Sequence, residues 1–225
     1  MGRAIYVSSV NGDDANSGYA PEKAFRSLRK VNQMEIQPGD QILLERGSVF
    51  VGEYLHLYRG GTKEAPVVVD AYGEGALPRI EADGNGIWYQ NYGGHLDNVV
   101  HTWKGYLSSA VLLYDAEYIT VRNLEITNDP LVKNERMNQA DRMNRTGVSV
   151  IAQNHGTLHQ IELAYLYIHD VEGNIYDKHL NNGGIYMSVS RPDDEEKTGI
   201  ARYDGIHIHH CKVENCRRWG IAAGY

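Results

Sequence analysis

One apolar pattern occurs three times in the chain, beginning at residues 119, 161 and 206, and it restricts the fold more than any other feature. Its members are Ile119, Val121, Leu124 and Ile126, then Ile161, Leu163, Leu166 and Ile168, then Ile206, Ile208, Cys211 and Val213. Alternate residues of a strand point to opposite faces, so apolar residues two positions apart predict a short strand with one buried face. The wider step between the two pairs predicts a bend. Each copy is therefore predicted to form a strand, a corner and a second strand.

A glycine opens one further predicted strand in each repeat, at Gly147, Gly184 and Gly220. Three short strands per repeat, at a spacing typical of solenoid proteins, predict the turns of a β-helix. No segment between these strands has the pattern of a crossover helix, which argues against an ordinary α/β fold. The predicted fold is all-β: a right-handed single-stranded parallel β-helix with an N-terminal capping helix.

The residues before the repeats predict the cap. Apolar residues follow helical spacing after Pro21, and they are Phe25, Leu28, Val31 and Met34. An amphipathic helix here would cover the apolar end of the first turn, which otherwise exposes core and unpaired strand edges. We therefore expect one β-helix domain over residues 1–225, with a cap region over 1–40 and β-helical turns over 41–225.

The last residues, 218–225, match the first strand of a new turn. A β-helix that ended there would leave backbone groups and core side chains open to solvent. We therefore expect the chain to be the N-terminal portion of a longer β-helix, with the missing C-terminal portion as a partner.

Charge and hydropathy limit the partners. A formal net charge of −7 argues against nucleic acid, because binding to a phosphate backbone depends largely on clustered Lys and Arg. No apolar run reaches the roughly 20 residues of a membrane helix, so no membrane partner is expected. The chain leads from Met1 almost directly into a predicted strand, so no signal peptide is seen. The expected compartment is extracellular or periplasmic after removal of a leader, with a cytoplasmic protein as the alternative.

Two cysteines cannot build a disulfide framework. Cys211 occupies the inward position that Leu124 and Leu166 hold in the other copies. We expect it to be a small buried apolar side chain rather than one end of a bridge to Cys216.

Two sets of motifs carry a family resemblance. The first comprises Tyr6-Val7-Ser8, Gly12-Asp13, Ser17-Gly18, Phe25-Arg26-Ser27-Leu28 and Gly39-Asp40-Gln41-Ile42-Leu43-Leu44. It resembles the N-termini of secreted bacterial β-helix enzymes of the pectate-lyase-like superfamily. The second comprises Arg145-Thr146-Gly147-Val148, His155-Gly156-Thr157-Leu158-His159-Gln160-Ile161, Tyr167-Ile168-His169-Asp170-Val171 and Gly183-Gly184-Ile185-Tyr186. It resembles the β-helical glycoside hydrolase family of α-L-fucosidases and xylanases.

This resemblance implies a carbohydrate-active enzyme, a glycoside hydrolase of complex plant cell-wall polysaccharide such as a pectin side chain or xylan. The expected partner is a polysaccharide or oligosaccharide, and no cofactor is expected. In the resembled family the catalytic aspartates lie in later turns, so the resemblance assigns no catalytic residue to this chain. Two alternatives stay open: a polysaccharide lyase of the β-helix type, and a non-catalytic glycan-binding or scaffold fragment.

Three long insertions separate predicted strands, over residues 127–145, 172–182 and 188–202. They occupy similar places in the repeat, so we expect them to emerge on the same or adjacent sides of the β-helix. Long loops along one flank of a rigid scaffold are a common way to build a substrate cleft.

Trp88 and Trp103 lie in a glycine- and aromatic-rich stretch over residues 84–105. Exposed aromatic rings can stack on the apolar faces of sugars, so both are candidate substrate contacts. The competing interpretation is that these rings fill corners of the early turns.

Several polar residues at strand ends are further candidates. Glycosidic hydrolysis generally uses two carboxyl groups, and Asp170 and Asp204 are the candidates in the repeats, although an Asp after a strand often only forms a turn. Candidate substrate-binding histidines are His169, His179, His207 and His209. His207 and His209 share an outer strand face and are a potential metal pair, but no third ligand is well defined, so no metal site is predicted. Calcium, which a lyase often uses, is not indicated.

Overall fold

The computed structural model describes residues 2–92, 104–130, 143–174 and 180–224. These residues form seventeen strands, two short α-helices and one 3-10 turn over Pro21–Lys23. The strands are β1 (Ala4–Val7), β2 (Gln41–Glu45), β3 (Val49–Val51), β4 (Leu55–Leu57), β5 (Val67–Tyr72), β6 (Arg79–Glu81), β7 (Ile87–Asn91), β8 (Lys104–Tyr114), β9 (Ile119–Arg122), β10 (Glu125–Asn128), β11 (Asn144–Ala152), β12 (Thr157–Ala164), β13 (Tyr167–Val171), β14 (Gly183–Val189), β15 (Arg202–His209), β16 (Lys212–Cys216) and β17 (Ile221–Gly224). The helices are α1 (Leu28–Asn32) and α2 (Glu195–Thr198).

All strands except β7 form three parallel sheets. Sheet A has the order β1-β2-β5-β9-β12-β15, sheet B the order β3-β6-β10-β13-β16, and sheet C the order β4-β8-β11-β14-β17. From β2 onward the chain visits sheets A, B and C in rotation, five times, and we call each passage a turn. Strand β7 pairs with β8 in antiparallel orientation. The prediction of an all-β chain is confirmed for the described residues, which form parallel sheets with almost no helix.

The three copies of the apolar pattern lie in register. Ile119 of β9 pairs with Ile161 of β12, which pairs with Ile206 of β15. Ile119 and Ile161 are buried in one core shared by the three sheets, and Ile206 packs against it. Each buried aliphatic side chain of this size contributes roughly 1.5–3 kcal/mol by leaving water. The inferred stacking of these positions is therefore confirmed.

The predicted bend between the paired strands is formed by one residue with a left-handed backbone conformation. Asn123, Tyr165 and His210 follow β9, β12 and β15 and have φ angles of 57°, 53° and 53°. This conformation turns the chain from sheet A into sheet B within two residues. It costs roughly 1–2 kcal/mol for a side chain other than glycine, so strand pairing on both sides must hold it in place.

Sheet C is buried on both faces. Its inward residues, such as Val148 and Val150, join the main core. On the opposite face, Leu112 and Ile151 pack with Trp88 of β7 in a second apolar cluster. The antiparallel β7–β8 hairpin therefore covers the outer face of this sheet.

The N-terminal helix is shorter than predicted. The sequence predicted a helix from Phe25 to Met34, whereas α1 ends at Asn32 and the Met34 amide bonds to the Val31 carbonyl in a tightened last turn. Leu28 and Val31 are buried, and α1 packs on β4 at the edge of sheet C.

A second short helix, α2, lies between sheets C and A; the sequence interpretation did not include it. No helix among the described residues has the length and apolar character needed to cross a membrane.

Candidate functional site

The insertions converge on two neighbouring corners. Strand order places residues 129–143 and 172–182 at the passage from sheet B to sheet C, and residues 190–201 at the passage from sheet C to sheet A. The segment before β8, which contains β7, also lies at the passage from sheet B to sheet C. The described strands that flank the insertions therefore end and begin at adjacent corners, while residues 131–142 and 175–179 lie outside the described residues. We call the first of these corners the B–C flank.

A buried polar network anchors the B–C flank. Gln90 of β7 donates from Nε2 to Oδ1 of Asn181 at 2.8 Å, and the Asn181 amide donates to Gln90 Oε1 at 2.9 Å. Tyr92 donates its hydroxyl to the same Asn181 oxygen at 3.1 Å. Gln90 Nε2 also lies 3.3 Å from Ser188 Oγ on β14. The two paired amides thus fix β7 against a loop about 90 residues away in the chain.

Trp88 is not an exposed sugar platform. Its exposure is 7%, and its Nε1 donates to Ser109 Oγ at 2.8 Å. Burial of an indole requires such a partner, and Ser109 in turn lies 2.7 Å from Thr146 Oγ1. The indole is thus buried, as in the competing interpretation, but it lies in the apolar cluster on the outer face of sheet C and not at a corner. Trp103 and His179 lie outside the described residues.

His169 and Asp170 lie together at the end of β13 in sheet B. His169 Nδ1 is 2.7 Å from Asp170 Oδ2, and its Nε2 is 3.0 Å from Glu125 Oε1 in the preceding turn. The Tyr167 ring stacks on the imidazole at a centroid distance of 4.2 Å. Asp170 also accepts a hydrogen bond from Asn215 in the following turn. These contacts join three successive turns of sheet B, which is a structural role.

Asp204 does not approach Asp170. Asp204 lies near the start of β15 in sheet A, where it pairs with His159 at 3.2 Å, while Asp170 contacts Asn215 of β16 in sheet B. A strand rises about 3.3 Å per residue, so the course of β15 from Asp204 to the corner at His210 alone covers about 20 Å. A catalytic carboxyl pair requires a separation of about 5–9.5 Å. The two aspartates are therefore not a catalytic pair with each other.

His207 lines a groove of about 360 Å³ on the outer face of sheet A. The groove also contains Lys63, Glu162 and Tyr118. The groove follows three residues with left-handed φ angles at matching positions of successive turns: Tyr118 just before β9, Gln160 within β12 and Gly205 within β15. His209 lies on the same sheet but binds Glu162 Oε1 from Nε2 at 3.0 Å. Of the predicted histidines within the described residues, His207 and His209 thus lie on sheet A and His169 lies on sheet B.

Asp83 is a carboxyl group that the sequence interpretation missed. It follows β6 at the B–C flank and adopts a left-handed φ of 52°. Burial raises its pKa, and the nearby carboxylates Glu81 and Asp129 raise it further. A raised pKa is a property that general acids share. The signal in the sequence was only an Asp next to a turn glycine, which is common in loops that have no chemistry.

Neither cysteine is an activated nucleophile. Cys211 and Cys216 are free thiols packed against the core. Burial raises the pKa of the Cys216 thiol to about 11, so the reactive thiolate is scarce at neutral pH. Cys211 was expected to be fully buried, whereas its side chain is half-buried and packs against the core from the edge. Within the ranges that the structure describes, no group of three or more His, Cys, Asp or Glu side chains is arranged to hold a metal ion.

Comparison with known proteins gives strong matches over the whole chain. No protein-family model matches it. The lacto-N-biosidase of Bifidobacterium longum subsp. longum is 39% identical over 256 residues, which cover 100% of this chain and 16% of the relative.

Crystal structures of GH136 lacto-N-biosidase from Eubacterium ramulus match with 56% identity. The selenomethionine derivative has a TM-score of 0.94 over 98% of this chain, and the native protein has a TM-score of 0.93 over 97%. The chain spans about a third of the length of that protein. The expected closeness to α-L-fucosidases and xylanases is not supported, since the matched enzymes are lacto-N-biosidases. Over nearly its whole length the chain is therefore similar to one part of the GH136 lacto-N-biosidases.

Proposed function

We propose that the chain is part of a lacto-N-biosidase, a glycoside hydrolase that cleaves the bond joining lacto-N-biose to the rest of an oligosaccharide. The observation that carries this proposal is the 56% identity and TM-score of 0.94 with the Eubacterium ramulus enzyme across 98% of the chain. The substrate is then an oligosaccharide carrying lacto-N-biose, in place of the plant cell-wall polysaccharide expected from the sequence.

The scaffold in this proposal is a right-handed parallel β-helix. The rotation through sheets A, B and C, with every strand parallel to its counterpart one turn later, supports it. Parallel crossover connections are right-handed in about 98% of cases, which favours that hand. Residues 1–40 then form the cap region and residues 41–225 the turns of one domain.

The B–C flank is the proposed substrate side. It carries two of the three insertions and Asp83, and paired amides hold its β7–β8 hairpin in place. Substrate contacts at His169, His207 and His209 stay predictions, as do those at His179 and Trp103. Catalytic roles for Asp170 and Asp204 also stay predictions.

The proposal is tested with a chromogenic lacto-N-bioside. We expect a polypeptide containing this chain to release lacto-N-biose, identified by chromatography, and to leave xylan and fucosylated pectin fragments intact. Hydrolysis of the plant polysaccharides without hydrolysis of the lacto-N-bioside would contradict the proposal. Absorbance from a new double bond in the product would indicate a lyase, and sugar binding by the chain without either reaction would indicate a glycan-binding fragment.

An extracellular or periplasmic location is part of the same proposal. Fractionation of the source cells, followed by immunodetection of the chain, tests it directly. Recovery of the protein only in the cytoplasm would contradict it.

A further inference from the structure

Two tyrosines of the β7–β8 hairpin form an exposed aromatic pair. Tyr89 of β7 lies directly opposite Tyr106 of β8. Their ring centroids are 5.0 Å apart, and the ring planes meet at 66°. Tyr89 is 47% exposed and Tyr106 is 65% exposed. Neighbouring Ile87 is also exposed, so this face of the hairpin presents apolar surface to solvent.

The reverse face of the hairpin fixes the two rings in this outward position. Successive residues of a strand point to opposite faces. Trp88 and Gln90, which flank Tyr89, are buried and bond to Ser109 and Asn181. Turning Tyr89 inward would require the strand to flip and break these hydrogen bonds. The two rings are therefore preorganised before a ligand binds, which lowers the entropy cost of binding.

The size of the exposed surface favours a small ligand over a protein. A tyrosine side chain offers about 200 Å², so the exposed parts of two rings and Ile87 amount to roughly 300 Å². A stable protein partner needs about 800 Å² on each side. A single pyranose ring, with one apolar face of C–H groups, matches the area of one or two tyrosine rings.

Polar groups border the same face. Asn91 and Lys104 form the next cross-strand pair on the same face of the hairpin, and both are exposed. A sugar ring stacked on one tyrosine would place its hydroxyl groups towards this amide and ammonium. Two rings set at an angle form a corner, so one ring can stack on the sugar while the second contacts its edge.

We propose that Tyr89 and Tyr106 form a stacking subsite for a pyranose unit of an oligosaccharide. The subsite extends the proposed function, on which the choice of lacto-N-biose as the first probe rests. The sequence pointed to Trp88 and Trp103 for this role, whereas the structure buries Trp88 and exposes the tyrosine next to it.

The test is a titration of the chain with lacto-N-biose and, in parallel, with xylobiose, followed by isothermal calorimetry and ligand-observed NMR. We expect the double variant Tyr89→Ala/Tyr106→Ala to weaken sugar binding about tenfold, which is the loss expected when one good aromatic contact is removed. The double variant Tyr89→Phe/Tyr106→Phe keeps both rings and should stay within about threefold of the parent. Tyr19→Ala, which removes a tyrosine that is 51% exposed elsewhere, should leave binding unchanged.

Each outcome separates this subsite from the proposed function. Binding of xylobiose but not lacto-N-biose, lost in the double alanine variant, supports the subsite and contradicts the substrate. Unchanged binding in that variant, with circular dichroism showing it folded, overturns the subsite and leaves the lacto-N-biosidase assay to decide the function. If the folded parent binds neither sugar, the subsite is overturned. It is also overturned if the parent self-associates and the double alanine variant does not, because the tyrosine face is then a contact between protein copies.

Discussion

His209 Nε2 lies 3.0 Å from Oε1 of Glu162 in the preceding turn, and Thr120, one turn earlier still, donates to the other oxygen of the same carboxylate at 2.9 Å. One carboxylate thus joins three turns on the outside of sheet A. The hydrogen bonds from His209 and Thr120 lower the pKa of Glu162.

Replacing this carboxylate should change the pH dependence of stability. Because the folded pKa of Glu162 is below its unfolded value, its contribution is present above the unfolded pKa and is lost as pH falls through the folded one. Both side chains are more than a third exposed, so we expect Glu162→Gln to lower the free energy of unfolding by less than about 1 kcal/mol at neutral pH. Urea denaturation of the parent and the variant, from neutral to acidic pH, measures this loss of unfolding free energy. The two proteins should have the same free energy of unfolding at the acidic end of the range. Glu64→Gln, at an exposed carboxylate, is the control and should show no such trend.

His56 should make the protein less stable in mildly acidic solution. It is buried on β4, its Nε2 donates to the Ser109 carbonyl at 2.9 Å, and burial lowers its pKa to about 4 from an ordinary 6.5. The neutral imidazole makes its full contribution to the free energy of unfolding above pH 6.5. As the pH falls from 6.5 towards 4, that free energy decreases by up to about 3 kcal/mol. His56→Gln should flatten the unfolding free energy across this range, measured by urea denaturation. If the slope persists in His56→Gln and disappears in the exposed control His207→Gln, the assignment to His56 is wrong.

Gly147 should not tolerate a methyl group. A Cβ there would lie 2.5 Å from Ile168 Cγ2 and 2.8 Å from the Gly184 carbonyl oxygen, because strand β11 enters sheet C against the side chains of sheet B. We expect Gly147→Ala to destabilise the protein by about 1–3 kcal/mol.

Gly220 gives a matched control for Gly147 two turns later. Its nearest neighbour would be Val213 Cγ1 at 4.0 Å, so Gly220→Ala should be neutral or slightly stabilising. Thermal unfolding of both variants tests this difference. Equal melting temperatures would show that the neighbours of Gly147 shift to accept the methyl group without loss of stability.

Truncating the stacked isoleucine column should be among the most damaging apolar changes. Ile161 is 1% exposed and lies between Ile119 and Ile206. Ile161→Ala leaves a cavity that both neighbouring turns border, and we expect a loss of about 2–5 kcal/mol. Ile200→Ala, at a residue that is 69% exposed, should change stability by less than about 0.5 kcal/mol. Denaturant midpoints for the two variants provide the comparison.

The sequence was most informative where one residue's surroundings repeat from turn to turn. Alternation around Ile161 was sufficient to predict two strands, the corner between them and the stacking of copies, because period and register are local properties that each copy repeats. The antiparallel strand β7 broke the repeat, so its orientation depended on contacts that are distant in the chain. Trp88 faces inward because Ser109 accepts from its indole, and Tyr89 faces outward as a consequence.

Which candidate side chains lie close together was harder to predict, because that also depends on contacts between residues distant in the chain. Asp170 and Asp204 were candidates because both carboxylates lie near the ends of predicted strands, and the sequence did not show how far apart those ends lie. The left-handed corner at His210 directs β15 and β16 into different sheets, so these two carboxylates serve separate contacts with His169 and His159. The proposed substrate rests on the similar proteins, because the residues that distinguish one sugar from another do not recur with the repeat and could not be recognised from its period.

The two-residue corners at Asn123, Tyr165 and His210 have a consequence for how this gene can vary. Adding or deleting one codon there would invert the inside and outside of the following strand and place its isoleucine and valine side chains in water. The B–C flank carries no such penalty, because its connections already differ widely in length from turn to turn. Among homologous genes, we therefore expect insertions and deletions to accumulate along that flank, where new recognition specificities can arise while the scaffold stays unchanged.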